Sequence, residues 1–421
     1  MKILVVGSGG REHAIIKSLK NNSNIKKIYA APGNGGISHD AECVPIKAVD
    51  INSMTIFAKE NAIDYVIVAP DDPLALGMVD ALEEKEIRCF GPNKAAARIE
   101  SSKIFAKDLM QKYNIPTASY KTFYAADEAS EYIKSDNVEF PIVIKADGLA
   151  LGKGVVIANN RVEAHQTIMD FMLDKKFGDS GKSIVIEEFL TGPEVSVLAF
   201  TDGKTVKPMI SSMDHKRIFD GNTGLNTGGM GAIAPNPHYT ADIAAFCEKT
   251  IFLPTIAAMQ KEGCPFKGCL YFGLMLTPQG PKVIEYNCRF GDPETQVVLS
   301  LLETDLLEIM QAVTDEKLDS IDISWKNDNA ACVIIASGGY PLNYDTNLEI
   351  TGLNKDGGIS GCIVYHSGTS YKDGAFYTAG GRVLGVTGIA STLKNALENA
   401  YNGVKNINFD KKHCRTDIGS Y

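Results

Sequence analysis

Long apolar runs are missing from this chain: none approaches the ~18–20 residues of a transmembrane helix. The opening stretch Met1–Gly7 is apolar over too few residues for the core of a secretion signal, and it reads as a buried strand. Cysteine spacing of the metal or redox kind is missing too. The nine cysteines include no C-x-x-C pair, and the closest two, Cys264 and Cys269, are five apart. They read as reduced, mostly buried thiols rather than a disulfide framework. The seven histidines form neither H-E-x-x-H nor H-x-H, so no zinc site is expected. Positive charge is in deficit, with 42 Lys and Arg against 51 Asp and Glu, a net of −9. Nucleic-acid binders ordinarily carry a basic face. No nucleic-acid partner and no membrane are therefore expected.

Glycine is present in mild excess, 39 of 421 residues against a typical ~7%. The length suggests roughly two to four domains at ~150 residues each. Strand and helix alternate through the first hundred residues. Strands are expected at 3–6, 27–31, 64–69 and 88–90. Helices are expected at 11–20, from an Asp50 cap to about Asn61, and at 74–86. That order means a parallel α/β sheet, whose ligands bind at the carboxyl ends of the strands. The turns there are 7–10, 32–36 and 70–73. A helix at 102–113 follows. Adjacent strand pairs come next, at 141–145 with 154–157, 184–188 with 194–198, and 271–276 with 282–286, and they point to α+β architecture. A third region begins after Trp325, with strands at 330–336 and 380–386 and a helix at 389–402. No internal repeat separates the parts.

Gly7-Ser8-Gly9-Gly10-Arg11-Glu12 follows a strand and opens a helix, where a phosphate loop would sit. A dinucleotide fingerprint needs a third glycine at the position of Glu12, which argues against a nicotinamide enzyme. Helix-end amides with Arg11 suit a single phosphate; a tight structural turn explains the glycines as well. Gly181-Lys182-Ser183 and the 148–154 segment each fail the P-loop spacing. The second is nonetheless a glycine-rich hairpin loop carrying Lys153, with Lys145 on the strand before it. It can fold over phosphates as a lid, or be an ordinary surface hairpin. Glu285 and Asn287 are two apart on one strand face, a carboxylate and an amide oxygen of the kind that suits Mg²⁺. Arg289 lies on the same side if the strand continues, where it would stabilise developing charge. An exposed strand face is the plain alternative. Glu187-Glu188 ends a strand and is by itself a weak pointer to an adenine edge.

These segments, with Ala31-Pro32-Gly33-Asn34, Asp214-His215-Lys216-Arg217, Asn226-Thr227-Gly228-Gly229-Met230-Gly231, the run from Glu285 to Gln296 and Gly380-Gly381-Arg382-Val383-Leu384, stand in one order along the chain. In that order they resemble the phosphoribosylamine–glycine ligase family of ATP-grasp enzymes, from residue 2 to about 419. The resemblance implies an N-terminal parallel α/β domain (1–101), a two-lobed ATP-grasp region (102–325) and a small C-terminal domain (326–421). It implies that ATP, glycine and 5-phosphoribosylamine are joined through glycyl phosphate, with Mg²⁺ or Mn²⁺, by a monomer. It places Lys145, Lys153 and Arg289 in catalysis. Lys103, Lys145, Gly152, Glu187, Leu190 and Glu194 fall on ATP, and Glu285 and Asn287 on the metal. Gly9, Gly10, Arg11, Asn34, Asp214, Lys216, Gly228 and Gly229 fall on the other two substrates. The chain departs from the family pattern at Asp71, where glutamate is common, at Leu225, where proline is common, and at 273–276, a strand without a carboxylate.

Overall fold

Four consecutive residues with no exposed surface, Ile3–Val6, form the centre of the first sheet in the computed structural model, which describes residues 1–149, 154–174, 176 and 178–420. Continuous apolar strands of this kind belong in parallel sheets covered on both faces. Lys2–Gly7 lies between Lys27–Pro32 and Tyr65–Val68, and Glu42–Cys43 and Cys89–Phe90 close the edges, all in parallel. The short edge strand Glu42–Cys43 was not expected, since it carries no apolar run; pairing to Tyr29 and Ala30 recruits it. Asp50 caps the helix Ile51–Glu60 by accepting from Ser53 N at 3.0 Å. The single helix expected over 74–86 is two, Asp71–Leu76 and Met78–Glu83, because Gly77 between them is left-handed at φ 95°.

The strand Ile184–Glu188 does not pair with Glu194–Asp202, contrary to the hairpin expectation. The first joins Tyr120–Phe123, Ile142–Ala146 and Val155–Ala158 in one antiparallel sheet. The second joins Val206–Pro208, Lys267–Thr277 and Gly280–Asn287 in another. The chain therefore crosses between two lobes at 189–193. The first lobe keeps its own core, including Phe123, Ile144, Ile168, Phe171 and Ile186. The second lobe shares its core with the N-terminal sheet, Phe252, Phe272 and Tyr286 packing with Leu4, Val6 and Met78.

A third antiparallel sheet orders Met213–Asp214, Gly231–Ala234, Asn329–Ala336, Arg382–Ala390 and Ile363–His366. It thus joins strands from either side of residue 325. The helix that covers it is Leu393–Asn406 rather than 389–402. Ile389 and Ala390 are still paired to Ala330 and Asn329, and Thr392 supplies the cap. No helix among the described residues is long and apolar enough to cross a membrane.

The N- and C-terminal parts are tied by buried imidazoles. His13 Nδ1 accepts from His366 N at 2.8 Å, which leaves Nε2–H to donate to Asp40 at 2.9 Å. Burial lowers the His13 pKa to about 4 and that of His366 to about 3. Both are neutral in the folded chain and titrate near 6.5 when unfolded, so the unfolded state binds more protons in between. The unfolding free energy should fall as pH drops from 6.5 toward 4, by up to about 1.4 kcal/mol per pH unit for each imidazole. Denaturant titrations at stepped pH measure this, and His13→Gln should flatten the slope. A stability that does not change across that window contradicts the assignment.

Candidate functional site

The lobes, the N-terminal sheet and the third sheet enclose a cavity of about 1030 Å³. At one end, Val143, Val155 and Met275 supply apolar walls beside the lobe crossing at Phe189 and Leu190. The helix Lys103–Lys112 turns one stripe toward it: Lys103, Ala106, Lys107 and Met110, at helical spacing. Lys103 Nζ donates to Gly148 O at 3.1 Å, at the base of the glycine-rich loop. Asp147 anchors that base to the helix start, accepting from Ser102 Oγ at 3.0 Å and Ile104 N at 2.8 Å. Gly152 and Lys153, and with them most of the proposed lid, lie outside the described residues.

Glu187 is buried between two lysines, 3.0 Å from Lys107 Nζ and 3.0 Å from Lys145 Nζ. Lys145 also donates to Ile284 O at 2.9 Å. Burial outweighs Glu187 in its effect on Lys107 and lowers that pKa to about 8; burial likewise lowers Lys103. Glu187 thus meets the cavity as the counter-charge of Lys145 rather than as a free carboxylate. Its exposed neighbour Glu188 pairs with Lys282 at 2.9 Å.

In mid-cavity Lys216 Nζ lies 3.3 Å from Glu194 and 3.6 Å from Glu285, and Glu194 above all holds its pKa high. Burial would raise the Glu285 pKa, but Lys216, Lys145 and Lys103 bring it below the ordinary value. Asn287 Oδ1 accepts one bond, from Arg289 at 3.2 Å, and keeps a lone pair. Two hard oxygen donors therefore face the cavity with coordination capacity to spare. They fit a divalent cation that takes its remaining ligands from phosphate and water. The strand ends at Asn287, and the bend after it still carries Arg289 to the same side. Burial disfavours the guanidinium charge, but Glu100 at 3.1 Å and Asp71 at 3.9 Å hold the pKa above its usual value.

At the far end Arg11, Asp214, Gly228, Asp292, Glu294, Tyr340 and Arg382 line the cavity. Asp214 Oδ1 is closed off without a hydrogen-bond partner; burial and then Glu294 push its pKa up. Arg382 donates to Asp292 O at 2.7 Å and to Gly228 O.

Four expected substrate contacts do not reach this cavity. Asn34 is spent on the fold, donating to Ser8 O and His366 O and accepting from Gly36 N and Ile37 N. Gly10 sits where a Cβ would come within 2.6 Å of Gln296 and 2.7 Å of Ser367, so its role is close packing. Gly229 is similarly pressed on Pro293 and Asp214. Gly9 N donates to the Glu12 carboxylate, and Arg11 N to Asp292 at 3.3 Å. The helix start read as a phosphate loop is therefore capped by the protein's own carboxylates. Only the Arg11 side chain, bonded to Glu12 and Phe290 O, borders the cavity. Glu100, Lys107, Tyr271, Asp292, Glu294, Tyr340 and Arg382 are site residues that sequence reasoning gave no role. The Lys103–Met110 stripe signals Lys107. Arg382, Asp292 and Glu294 stand inside the diagnostic segments.

Residues 1–100, 101–295 and 330–421 match the N domain, the ATP-grasp (A) domain and the C domain of phosphoribosylglycinamide synthetase. The chain is 47% identical over 421 residues to a phosphoribosylamine–glycine ligase of Caldanaerobacter subterraneus, with 100% of each covered. It is 48% identical over 423 residues to the trifunctional purine biosynthetic protein adenosine-3 of Gallus gallus, spanning 99% of this chain and 42% of that protein. The crystal structure of phosphoribosylamine–glycine ligase from Thermotoga maritima superimposes with a TM-score of 0.87 at 32% identity, over 99% of this chain and 100% of that one. A biotin carboxylase from Campylobacter jejuni, at a TM-score of 0.76 and 15% identity over 98% of this chain and 92% of its own, shares the fold.

The shared counter-charge yields a test. Glu187→Gln leaves two buried ammonium groups facing a neutral amide, which should cost about 3–5 kcal/mol of stability at pH 7. Part of that loss should return as pH rises toward 8 and beyond, because Glu187 raises the Lys107 pKa, about 8 in the parent, and without it that ammonium loses its proton sooner. Thermal and denaturant unfolding from pH 7 to 9 measure both effects. A variant as stable as the parent at pH 7 would show that the ion pair holds nothing.

Proposed function

The chain belongs to the phosphoribosylglycinamide synthetase family, and on that premise we propose how its own residues carry the reaction. It is an ATP-dependent carbon–nitrogen ligase of de novo purine biosynthesis, joining glycine to 5-phosphoribosylamine and giving glycinamide ribonucleotide, ADP and phosphate. A carboxylate is a poor acyl donor and must be activated. A glycine carboxylate oxygen bonds to the γ-phosphorus of ATP, the bond to the β–γ bridging oxygen breaks, and ADP leaves. The amine nitrogen of phosphoribosylamine then bonds to the acyl carbon. The carbon–oxygen bond to phosphate breaks, and the nitrogen loses one proton.

ATP-grasp enzymes use ATP with a divalent metal. Here Glu285 and Asn287 would hold it, as Mg²⁺ or Mn²⁺; such a cation, when bound, neutralises charge on the β- and γ-phosphates. Lys103 and Lys145 take the phosphate oxygens as fixed cations, joined by Lys153 from the loop. Glu187, 3.0 Å away, holds Lys145 in place. Leu190 offers its backbone to the adenine edge between the apolar walls, and Glu194 reaches the ribose. Arg289, held by Glu100, steadies the charge on the transferring phosphoryl group. Asp214, Lys216, Gly228 and Arg11 face glycine and the amine substrate. The setting is the cytoplasm and the working unit a monomer.

The observation that carries this reading is the convergence of Lys103, Lys145, Glu285, Asn287 and Arg289, distant in sequence, on one cavity. Glu285→Ala should lower glycine-dependent phosphate release about 100-fold or more. Unchanged turnover removes the metal assignment. Bicarbonate in place of glycine should release no phosphate, and release with bicarbonate alone would contradict the ligase reading.

A further inference from the structure

A two-stranded ribbon, Arg217–Phe219 paired with Thr223–Asn226, borders the cavity through Arg217, Asn222 and Asn226. It has little of its own to hold it there. Every residue from Phe219 to Asn226 is exposed. Only Ile218 is buried, in a small cluster with Met230, Ala336 and Tyr340. An isolated two-stranded ribbon is marginal in water.

The segment 413–420 supplies the missing support. His413 Nε2 donates to Ile218 O at 2.9 Å. Arg415 donates from Nη1 to Arg217 O at 3.2 Å and to Asn222 Oδ1 at 2.9 Å. Its Nε and Nη2 hold the Asp417 carboxylate at 2.7 and 2.8 Å, and Asp417 accepts from Gly221 N at 2.8 Å. Thr416 N donates to Asp220 at 2.8 Å. The same segment then reaches the site itself: Gly419 N donates to His215 Nε2 at 3.0 Å, beside Asp214 and Lys216, and Ser420 lines the cavity.

Arg415 is 1% exposed. A buried ion pair is weak support for stability, since well-packed apolar residues of similar volume commonly do as well or better. What the guanidinium does that a methionine cannot is fix the ribbon's main chain, Asn222 and Asp417 together. Its bonds also hold Asp417 well below the usual carboxylate range.

We propose that Arg415 is a positioning residue that holds the 217–226 ribbon over the cavity and so keeps water from the acyl phosphate, a role that rests on the ligase reading above. If water enters, its oxygen bonds to the acyl carbon and the carbon–oxygen bond to phosphate breaks. Glycine and phosphate are released, one proton going to phosphate and one to solvent. ATP is consumed and no amide forms. A loosened ribbon therefore shows as uncoupling.

The test measures ADP and glycinamide ribonucleotide in the same reaction, on the full chain with ATP, glycine and phosphoribosylamine saturating. The parent should form them in equal amounts. Arg415→Met should form at least about two ADP per amide, because shielding of the intermediate is lost. Arg415→Lys should recover part of the coupling, its single ammonium replacing only some of the fork. Loss of folded enzyme lowers both products together and leaves their ratio at one, so a ratio of one in Arg415→Met overturns the proposal. Should that variant fail to fold, Asn222→Ala, on the exposed ribbon, removes one partner of Arg415 and is read the same way; a ratio of one there overturns it equally. A parent chain that makes no amide from glycine would instead overturn the ligase reading.

Discussion

Positive charge that must be buried before any phosphate arrives is the constraint on which the rest of this structure depends. Desolvating an ammonium or guanidinium group costs several kcal/mol unless a partner compensates. The chain meets this by giving most of the buried cavity cations a carboxylate from elsewhere in the sequence, while Lys103 takes the carbonyl of Gly148. Lys107 and Lys145 share Glu187, Arg289 takes Glu100, and Lys216 sits between Glu194 and Glu285. Arg382 lies 3.5 Å from Asp292, whose other oxygen caps the Arg11 amide. These cations and carboxylates come from the first hundred residues, both lobes and the third sheet, so assembling the fold and assembling the site are one event. A net charge of −9 is then no obstacle to binding ATP, because a phosphate meets the local placement of cations such as Lys103 and Lys145 in the cavity, not the sum over the chain.

The cores divide the labour. The second lobe and the N-terminal sheet pack into one apolar cluster, which makes a rigid floor for Glu285, Asn287 and Arg289. The first lobe has a core of its own and meets the floor through the crossing at 189–193 and polar bonds such as Lys145 to Ile284 O. That arrangement lets the lobe carrying the glycine-rich loop enclose a nucleotide without rebuilding the floor.

Much of the chemistry was legible in the sequence because it rests on residue type and short spacing. Glu285 and Asn287, two apart on a strand, and the lysine ending 141–145 line one cavity in three dimensions, and Glu12, in place of a third glycine, accepts from the Gly9 amide. What misled was tertiary. A glycine-rich turn opening a helix looks the same whether its amides await a phosphate or are capped by Glu12 and by Asp292 from far along the chain. Asn34 gives no local sign that all its bonding capacity goes into the fold. The strands at 184–188 and 194–202 are close enough for a hairpin, and only the sheets they join reveal a lobe crossing. Lys107 was legible as part of a stripe, but its counter-charge was not, because Glu187 lies on another element.

Charge compensation matters here because it prepares the cavity to activate a carboxylate by phosphorylation. Glycine labelled with ¹⁸O in both carboxylate oxygens tests that directly, since the oxygen that bonds to the γ-phosphorus must leave with it. The mechanism predicts one ¹⁸O in each inorganic phosphate and one retained in the amide carbonyl, read by mass spectrometry of both products. Phosphate free of label, formed alongside amide product, would contradict it.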